Sequence, residues 1–528
     1  MVQWSWELLD PGERLLARRF AVFAGAVTPA TTASVCELDD ADELLSSLAE
    51  KSLVEVHRGR YRMLETIRAY CLARLAESGE QERLRSTCAR YYTDLAERAD
   101  PLLRGPDQLR WLARLSEEHD NLQAASRWAV RADPALAQRL IAAQAWYWWL
   151  SGRPGDAAEL AGTLLPVLDP AASAEEYALC VAVAARGKPG PSAAVGVAVA
   201  AVSQIEKPLR RPHLVFLLAT VGGLLRPETE RLDRLFGPDP WARAFRRLGE
   251  GLRLLMSGRP RLAEPEFCCA LADFRATGDR WAIATTLDKL AVVAEWRGER
   301  SAALESIDEA VLLLSELGVG DEAADLLNRR GDVLARNPAR TAEVAEAEVA
   351  YRRAAEMARV AGATDIRANA LRGLGDLSRA AGQPAEARTY YAAALESPDN
   401  GSVGMAEARA RSLIGMGWVA LTEGDIDAGL AAAREAFALS RRVSRPVAAE
   451  AVEAVAAFAE ALGYPEPGAV LLGAAEALRG MPVAGRGEVA DIADRCRAEL
   501  GEHSFGAAYA RGAEATIEEV ATLLGEWR

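Results

Sequence analysis

Residues 371–394 read LRGLGDLSRAAGQPAEARTYYAAA. With Gly375 as an anchor, Leu371 and Leu374 precede it by four and one. Gly382 follows at +7, Ala387 at +12, Tyr391 at +16 and Ala394 at +19. Apolar residues three and four apart mark one face of a helix, and Gly or Pro marks its interruption. The stretch predicts two antiparallel helices joined by a tight turn. Small residues sit where the two touch, and large ones where they pack on neighbours.

The same frame recurs. From Gly251 it gives Gly258, Ala263, Phe267 and Ala270; from Ala291, Gly298, Ala303, Ile307 and Ala310. From Gly417 it gives Gly424, Gly429, Ala433 and Ala436; from Ala456, Gly463, Gly468, Leu472 and Ala475. From Gly331 the first helix fits, and Ala347, Tyr351 and Ala354 match after a four-residue insertion. An earlier unit fits at Ala145, with Gly152, Ala157, Ala161 and Leu164. This is the tetratricopeptide pattern, whose standard period is about 34 residues. Anchor spacings here are 40, 40, 44, 42 and 39 residues, which requires longer helices or loops. The frame predicts an all-α solenoid.

The first eighty residues differ. Asp10-Pro11 opens a helix expected to run to about Phe23, by an Asp cap and Pro at the first helical position. Further helices are expected from Thr28-Pro29 to Cys36 and from Asp40 to Glu50. Leu53–Val56 and Tyr61–Leu64 alternate around His57-Arg58-Gly59-Arg60, which reads as a β-hairpin. A helix from Glu65 to Glu77 follows. These are the parts of a winged-helix domain. The expected organisation is a winged helix at 1–79, a helical linker and first repeats at 80–185, degenerate repeats at 186–240, the main array at 241–480 and capping helices at 481–528.

Bulk properties exclude several functions. The 528 residues carry a net charge of -14, which argues against generic nucleic-acid affinity. Only four lysines occur (Lys51, Lys188, Lys207, Lys289), and none lies in a phosphate-binding G-x-x-x-x-G-K-[ST] loop. Seven scattered cysteines without C-x-x-C fit a reduced, cytoplasmic setting. Cys268-Cys269 is expected to pack in the core. The most apolar run, Ala193–Val202, is half a membrane span and reads as a buried helix. The four histidines are far apart in sequence, with His119 expected mid-helix. No H-E-x-x-H or G-x-S-x-G occurs, so no enzyme, metal or cofactor is expected.

Several segments resemble one family. They are Trp4–Pro11, Phe20–Gly25, Lys51–Val54, Tyr61–Arg68, Glu118–Leu122 and, in the tail, Leu471–Ala477 and Phe505–Glu519. Together they are similar to the winged-helix and helical sensor regions of bacterial regulators with an NB-ARC-type ATPase, the signal-transduction (STAND) class. That resemblance implies a sensor and regulatory half, since the family's P-loop core and DNA-binding effector domains are not found in this chain. It also implies a nucleotide-sensing equivalent at Met63, Leu64 and Glu65. Many relatives have His at the position of Leu64, and leucine donates no hydrogen bond. Packing of Met63 and Leu64 at the hairpin's end is the favoured reading.

DNA binding through the winged helix is disfavoured. The third helix carries Asp39, Asp40, Asp42, Glu43 and Glu50 against Lys51, opposite a basic wing of Arg58, Arg60 and Arg62. In the solenoid, the first helix of each pair should line the concave face, with ligand-facing positions at -6, -3, +1, +4 and +5. These give Asp288, Glu295 and Trp296; Asn328, Asp332 and Arg336; Asn369, Arg372, Asp376 and Arg379; and Arg411 and Trp418. The bland alternative is a solvated face of ion pairs worth little each. At Gly251 the same positions hold Phe245, Leu248, Leu252, Leu255 and Met256, a stripe that a partner or neighbouring helices should cover. The expected function is a non-enzymatic sensor that binds a protein or small-molecule inducer on the concave face, beside an ATPase core encoded separately. A free-standing scaffold for a peptide and a DNA-binding regulator are the alternatives.

Overall fold

The computed structural model describes residues 2–152, 155–186, 193–222, 229–336, 341–482 and 487–526. Parts of the stretch read as degenerate repeats, 187–192 and 223–228, lie outside them, as do residues 337–340. Among the described residues are twenty-nine α-helices and a single two-stranded sheet. The chain forms two compact units, 1–186 with 191–235, and 187–190 with 236–528.

In the first unit, Asp10 caps Pro11–Phe20 through a capping box with Glu13. That helix stops at Phe20, three residues before the expected end, and Val22 and Phe23 turn back onto Arg19 and Phe20 carbonyls. Thr28 caps Pro29–Cys36, and Ala41–Glu50 follows. Val54–His57 pairs antiparallel with Arg60–Met63. The turn residues Arg58 and Gly59 both have positive φ, as a two-residue turn matched to strand twist requires. Tyr61 also exchanges backbone hydrogen bonds with Val27, a pairing with no signal in the sequence pattern.

Glu118 and Asn121 tie these pieces together. Asn121 Oδ1 accepts from the backbone N–H of Ala24 (3.0 Å) and Gly25 (2.8 Å). The fully buried Glu118 accepts from Arg60 (2.7 Å), Tyr92 (2.9 Å) and Asn121 (3.0 Å). His119 is the first residue of a helix, not a mid-helix residue, because the chain breaks at Glu118. Ala193–Val202 buries Val195, Ala198 and Val202 but exposes Val197, so it is half-covered, not engulfed. Of the aromatic run, Trp146, Tyr147 and Trp148 are core.

The second unit contains six helical hairpins. They are Pro240–Met256 with Pro260–Thr277, Arg280–Arg297 with Arg300–Leu317, and Gly320–Ala335 with Thr341–Ala361. Thr364–Ala380 with Pro384–Leu395, Val403–Glu423 with Ile426–Ser440, and Arg445–Ala461 with Pro465–Arg479 complete them. Gly487–Leu500, Glu502–Ala513 and Ile517–Glu526 follow.

Anchor glycines are explained by ring packing. Tyr351 lies so close to Gly331 and Gly373 that a Cβ there would stand 2.7 and 2.2 Å from its ring. Tyr391 sits likewise between Gly375 and Gly415 (2.6 and 2.3 Å). Each tyrosine thus wedges between the first helix of its own hairpin and that of the next. The turn of the first hairpin also meets the end of the sixth. Gly258 and Gly480 touch backbone to backbone, and a Cβ on Gly480 would fall 1.8 Å from the Gly258 carbonyl oxygen. The hairpins therefore close one turn around their concave side.

The apolar stripe of the first hairpin is covered in part: Phe245, Leu248 and Leu255 are buried, while Leu252 and Met256 are half-buried. Phe245 stacks on Trp241 at 4.6 Å and lies 6.3 Å from Trp281. Cys268 and Cys269 are exposed, contrary to their expected core role. Phe267 and Ala270 face inward instead. At 3.6 residues per turn, the two residues after Phe267 rotate about 100° and 200° away from it.

Candidate functional site

The candidate concave-face residues come from four successive first helices, and the structure joins half of them into ion pairs one repeat apart. Asp288 is bridged by Lys289 and by Arg329 of the next hairpin. Glu295 accepts from Arg336 at 2.6 Å. Asp332 accepts from Arg372 (2.7 Å) and from the Tyr351 hydroxyl (2.6 Å). Asp376 accepts from Arg372 (2.7 Å) and from Tyr391 (2.6 Å). The same tyrosines that wedge between helices therefore hold the acids on this face.

The other candidates complete the wall. Arg372 also donates to Asn369 Oδ1 at 2.9 and 3.1 Å, and its side chain is almost fully buried. Asn328 is buried outright. Its amide donates to the Ile366 carbonyl (2.9 Å), while its Oδ1 has no donor among the described residues. Arg411 is shared between Glu450 (3.1 Å) and Glu407 (3.8 Å). Arg379 pairs with Glu488 of the helix Gly487–Leu500 and stands 5.8 Å over the half-buried Trp418 ring. Trp296 is largely buried.

Electrostatics follow from this crowding. Burial raises the Asp288 carboxyl, but Arg329 and Lys289 outweigh it and hold the value at about 2. Asp332 is likewise lowered: burial opposes it, and Arg372 and the Tyr351 hydroxyl prevail. Asp325 behaves oppositely. Burial, together with the nearby Asp288 and Asp365, lifts it to about 6 against the pull of Arg329 and Lys289. A half-buried carboxyl in this position is poorly solvated and incompletely neutralised.

Sequence reasoning missed part of this wall. Asp325, Glu450 and Glu453 occupy -6, -6 and -3 from their anchors, so the frame itself contained them. Lys289, Arg329, Glu407, Arg479 and Glu488 lie off those positions and reach the face by side-chain length. Glu453 and Arg479 form a buried pair at 2.6 Å.

The other candidate positions are in the first unit. Met63 is buried, Leu64 is exposed at the start of Glu65–Glu77, and Glu65 pairs with Arg68. Of the three wing arginines, Arg60 turns inward onto Glu118 and the Ala26 carbonyl, leaving Arg58 and Arg62 exposed. Asp39, Asp40, Asp42, Glu43 and Glu50 are all exposed. No helix among the described residues is long and apolar enough to cross a membrane.

No family model matches the chain. A Mycobacterium bovis protein provisionally named as an HTH-type transcriptional regulator is 37% identical over 137 residues, 24% of this chain and 15% of that protein. An uncharacterised Mycobacterium tuberculosis protein is 38% identical over 106 residues, 18% of this chain and 26% of that one. The chain thus spans a small fraction of the curated relatives it matches. Among solved structures, a STAND protein with a tetratricopeptide repeat sensor from Pyrococcus horikoshii aligns over 96% of this chain and 66% of its own, at 12% identity and TM-score 0.35. A Rap protein complexed with competence and sporulation factor aligns over 73% of this chain and 99% of its own, at 12% identity and TM-score 0.41.

Proposed function

We propose that this chain is a non-enzymatic sensor and regulatory interaction module of a STAND-like transcriptional regulator. Its six-hairpin unit binds a protein or small-molecule inducer on the concave face. Its N-terminal helices and β-hairpin, read as a winged helix, relay that state to a nucleotide-binding core on another segment or polypeptide. The observation that carries the reading is the wall of inter-repeat ion pairs flanked by Trp418. A purely scaffolding helix pair needs no such polar lining, because buried ion pairs stabilise little beyond what apolar packing would. The partial likeness to a provisionally named transcriptional regulator is in keeping with a regulatory role.

The test compares the full chain with Trp418→Ala and Arg411→Ala variants for retention of inducer candidates from the native host. Ligands retained by the wild type and lost by both variants support the reading, and equal retention by all three ends it. Micromolar binding of ATP or ADP by this chain would contradict the reading that the nucleotide-binding core lies elsewhere. DNA binding is the second reading. The inward turn of Arg60 and the exposed acids of Ala41–Glu50 and its preceding turn disfavour it. A mobility shift that weakens steeply with salt would reinstate it.

A further inference from the structure

A groove lies between Arg300–Leu317 and Thr341–Ala361, the second helices of the second and third hairpins, with Gly320–Ala335 beneath. Its volume is about 440 Å³, and Val311, Leu327, Ala345, Val349 and Ala350 give it an apolar lining. Val349 is 66% exposed, and Leu312, next to Val311, is 60% exposed. Large apolar side chains left to water around a concavity mark a surface that receives a partner.

The charges on the rim stand apart. At one end Arg330 donates to both Asp308 (3.0 Å) and Glu346 (3.4 Å), whose carboxylates are exposed. At the other end Arg353 is exposed and forms no hydrogen bond or ion pair among the described residues. Glu346 and Arg353 are seven residues apart on one face of one helix, about 10 Å at the helical rise, too far to pair within the chain. The rim therefore carries two acids and two bases, with the acids gathered at one end and one base alone at the other. Val349 and Ala350 lie midway between Glu346 and Arg353.

This order is self-complementary. A two-fold axis passing between Val349 and Ala350 sets Thr341–Ala361 of a second copy antiparallel to the first. Arg353 of each copy then stands level with Asp308 and Glu346 of the other, and Val349 of each enters the apolar groove of the other. Two-fold interfaces are built from one patch used twice, on which residue i meets j and j meets i. Ala345 and Ala350 are small, and helix separation is set by the side chains at the contact.

We propose that this groove is the interface of a two-fold dimer of this chain, closed by reciprocal Glu346–Arg353 ion pairs around a Val349 centre. Each copy brings a second base to the two carboxylates that Arg330 alone serves within one chain. The inference goes beyond the sensor reading and is independent of it, because the groove lies between second helices and the concave face belongs to the first.

Sedimentation velocity of the full chain over a wide concentration range tests it. The wild type should pass from monomer to dimer. Arg353→Glu and Glu346→Arg should each weaken association at least tenfold. The double variant should return to within threefold of the wild type, because the reversed charges meet again across the axis. Val349→Asp, which sets two carboxylates at the axis, should abolish the dimer. Glu514→Arg, the same charge reversal at an exposed residue just past Glu502–Ala513, should change association less than twofold. All four positions are exposed, so unchanged helical circular dichroism should accompany every variant. A wild type that stays monomeric leaves the groove to a different partner and overturns the proposal. A dimer indifferent to both single reversals, or a double variant that fails to recover, overturns it as well.

Discussion

The two compact units are held together in different ways. In the first, a few side chains join points far apart in sequence. Asn121 grips Ala24 and Gly25 from nearly a hundred residues away, and Glu118 collects Arg60 and Tyr92. In the second, similar contacts recur at one-repeat spacing. Asp288 meets Arg329, Glu295 meets Arg336, Asp332 meets Arg372, and Arg411 meets Glu450. The difference teaches where damage should spread. A repeat array is stabilised mainly by its nearest-neighbour interfaces, so a lost contact weakens the two adjoining hairpins. A single tie in the first unit releases whatever it alone was holding.

The largest effect should come from filling a ring cleft in the array. Gly373→Ala and Gly415→Ala place a methyl 2.2 and 2.3 Å from Tyr351 and Tyr391, rings wedged between two helices. Each should cost about 3 kcal/mol by overpacking, with hydrogen-exchange protection lost in the hairpins on both sides. Unchanged protection on one side would contradict the nearest-neighbour picture.

Asn121→Ala should come next, at about 2 kcal/mol, since it strips a buried acceptor from two backbone donors. Faster amide exchange at Ala24 and Gly25, with the six hairpins unaffected, is the expected signature. Loss of protection across both units would show that the tie is not local.

Mild acid should then separate the units. The Asp325 carboxyl sits at about 6, above its ordinary value, so the stability tied to its neutral form is complete below about pH 4 and lost as pH rises through 6. Glu80 lies at about 2, lowered by the Arg19 and Arg18 guanidinium groups against burial, so its contribution is present above pH 4.5 and lost as pH falls through 2. Going from pH 7 to pH 5 should therefore firm up the hairpins near Asp325 by about 1 kcal/mol while the Glu80 ion pairs stay intact. Below pH 4 the first unit should weaken, and so should the Asp288 pairs. Urea unfolding followed by unit-resolved hydrogen exchange across this range reads both trends.

The smallest effect isolates the cause. Asp325→Asn should stabilise the array by about 1 kcal/mol at pH 7, and the gain should vanish near pH 4. A gain that persists at low pH would mean that packing, not charge, is responsible.

Much of the second unit was legible from the 371–394 stretch, because one geometry repeated six times leaves one pattern six times. The anchors Gly331 and Gly375 could be read as close approaches without knowing that Tyr351 and Tyr391 filled them, whereas Gly373 and Gly415, two residues before their anchors, lay outside the frame. The same frame already contained Asp325 and Glu450, because a position on a helix face is fixed by spacing alone. Lys289, Arg329 and Glu488 were hidden, since a long flexible side chain can reach a face its backbone does not occupy. In the first unit the hairpin was legible from alternation, although His57 and Arg60, read as part of the connection, pair with each other as the last residues of the ladder. The pairing of Val27 with Tyr61 was not, because a single bridge leaves no periodic trace.

The sequence by itself determined the helical hairpins, their period and the residues available to the concave wall, since these follow from local spacing and turn chemistry. Tertiary structure alone decided which acid holds which base, and it turned Arg60 inward and Cys268 and Cys269 outward. Among the described residues it also left Asp325 without a hydrogen bond or ion pair. Pairing and burial depend on distances between segments that are remote along the chain, and no local pattern carries those distances.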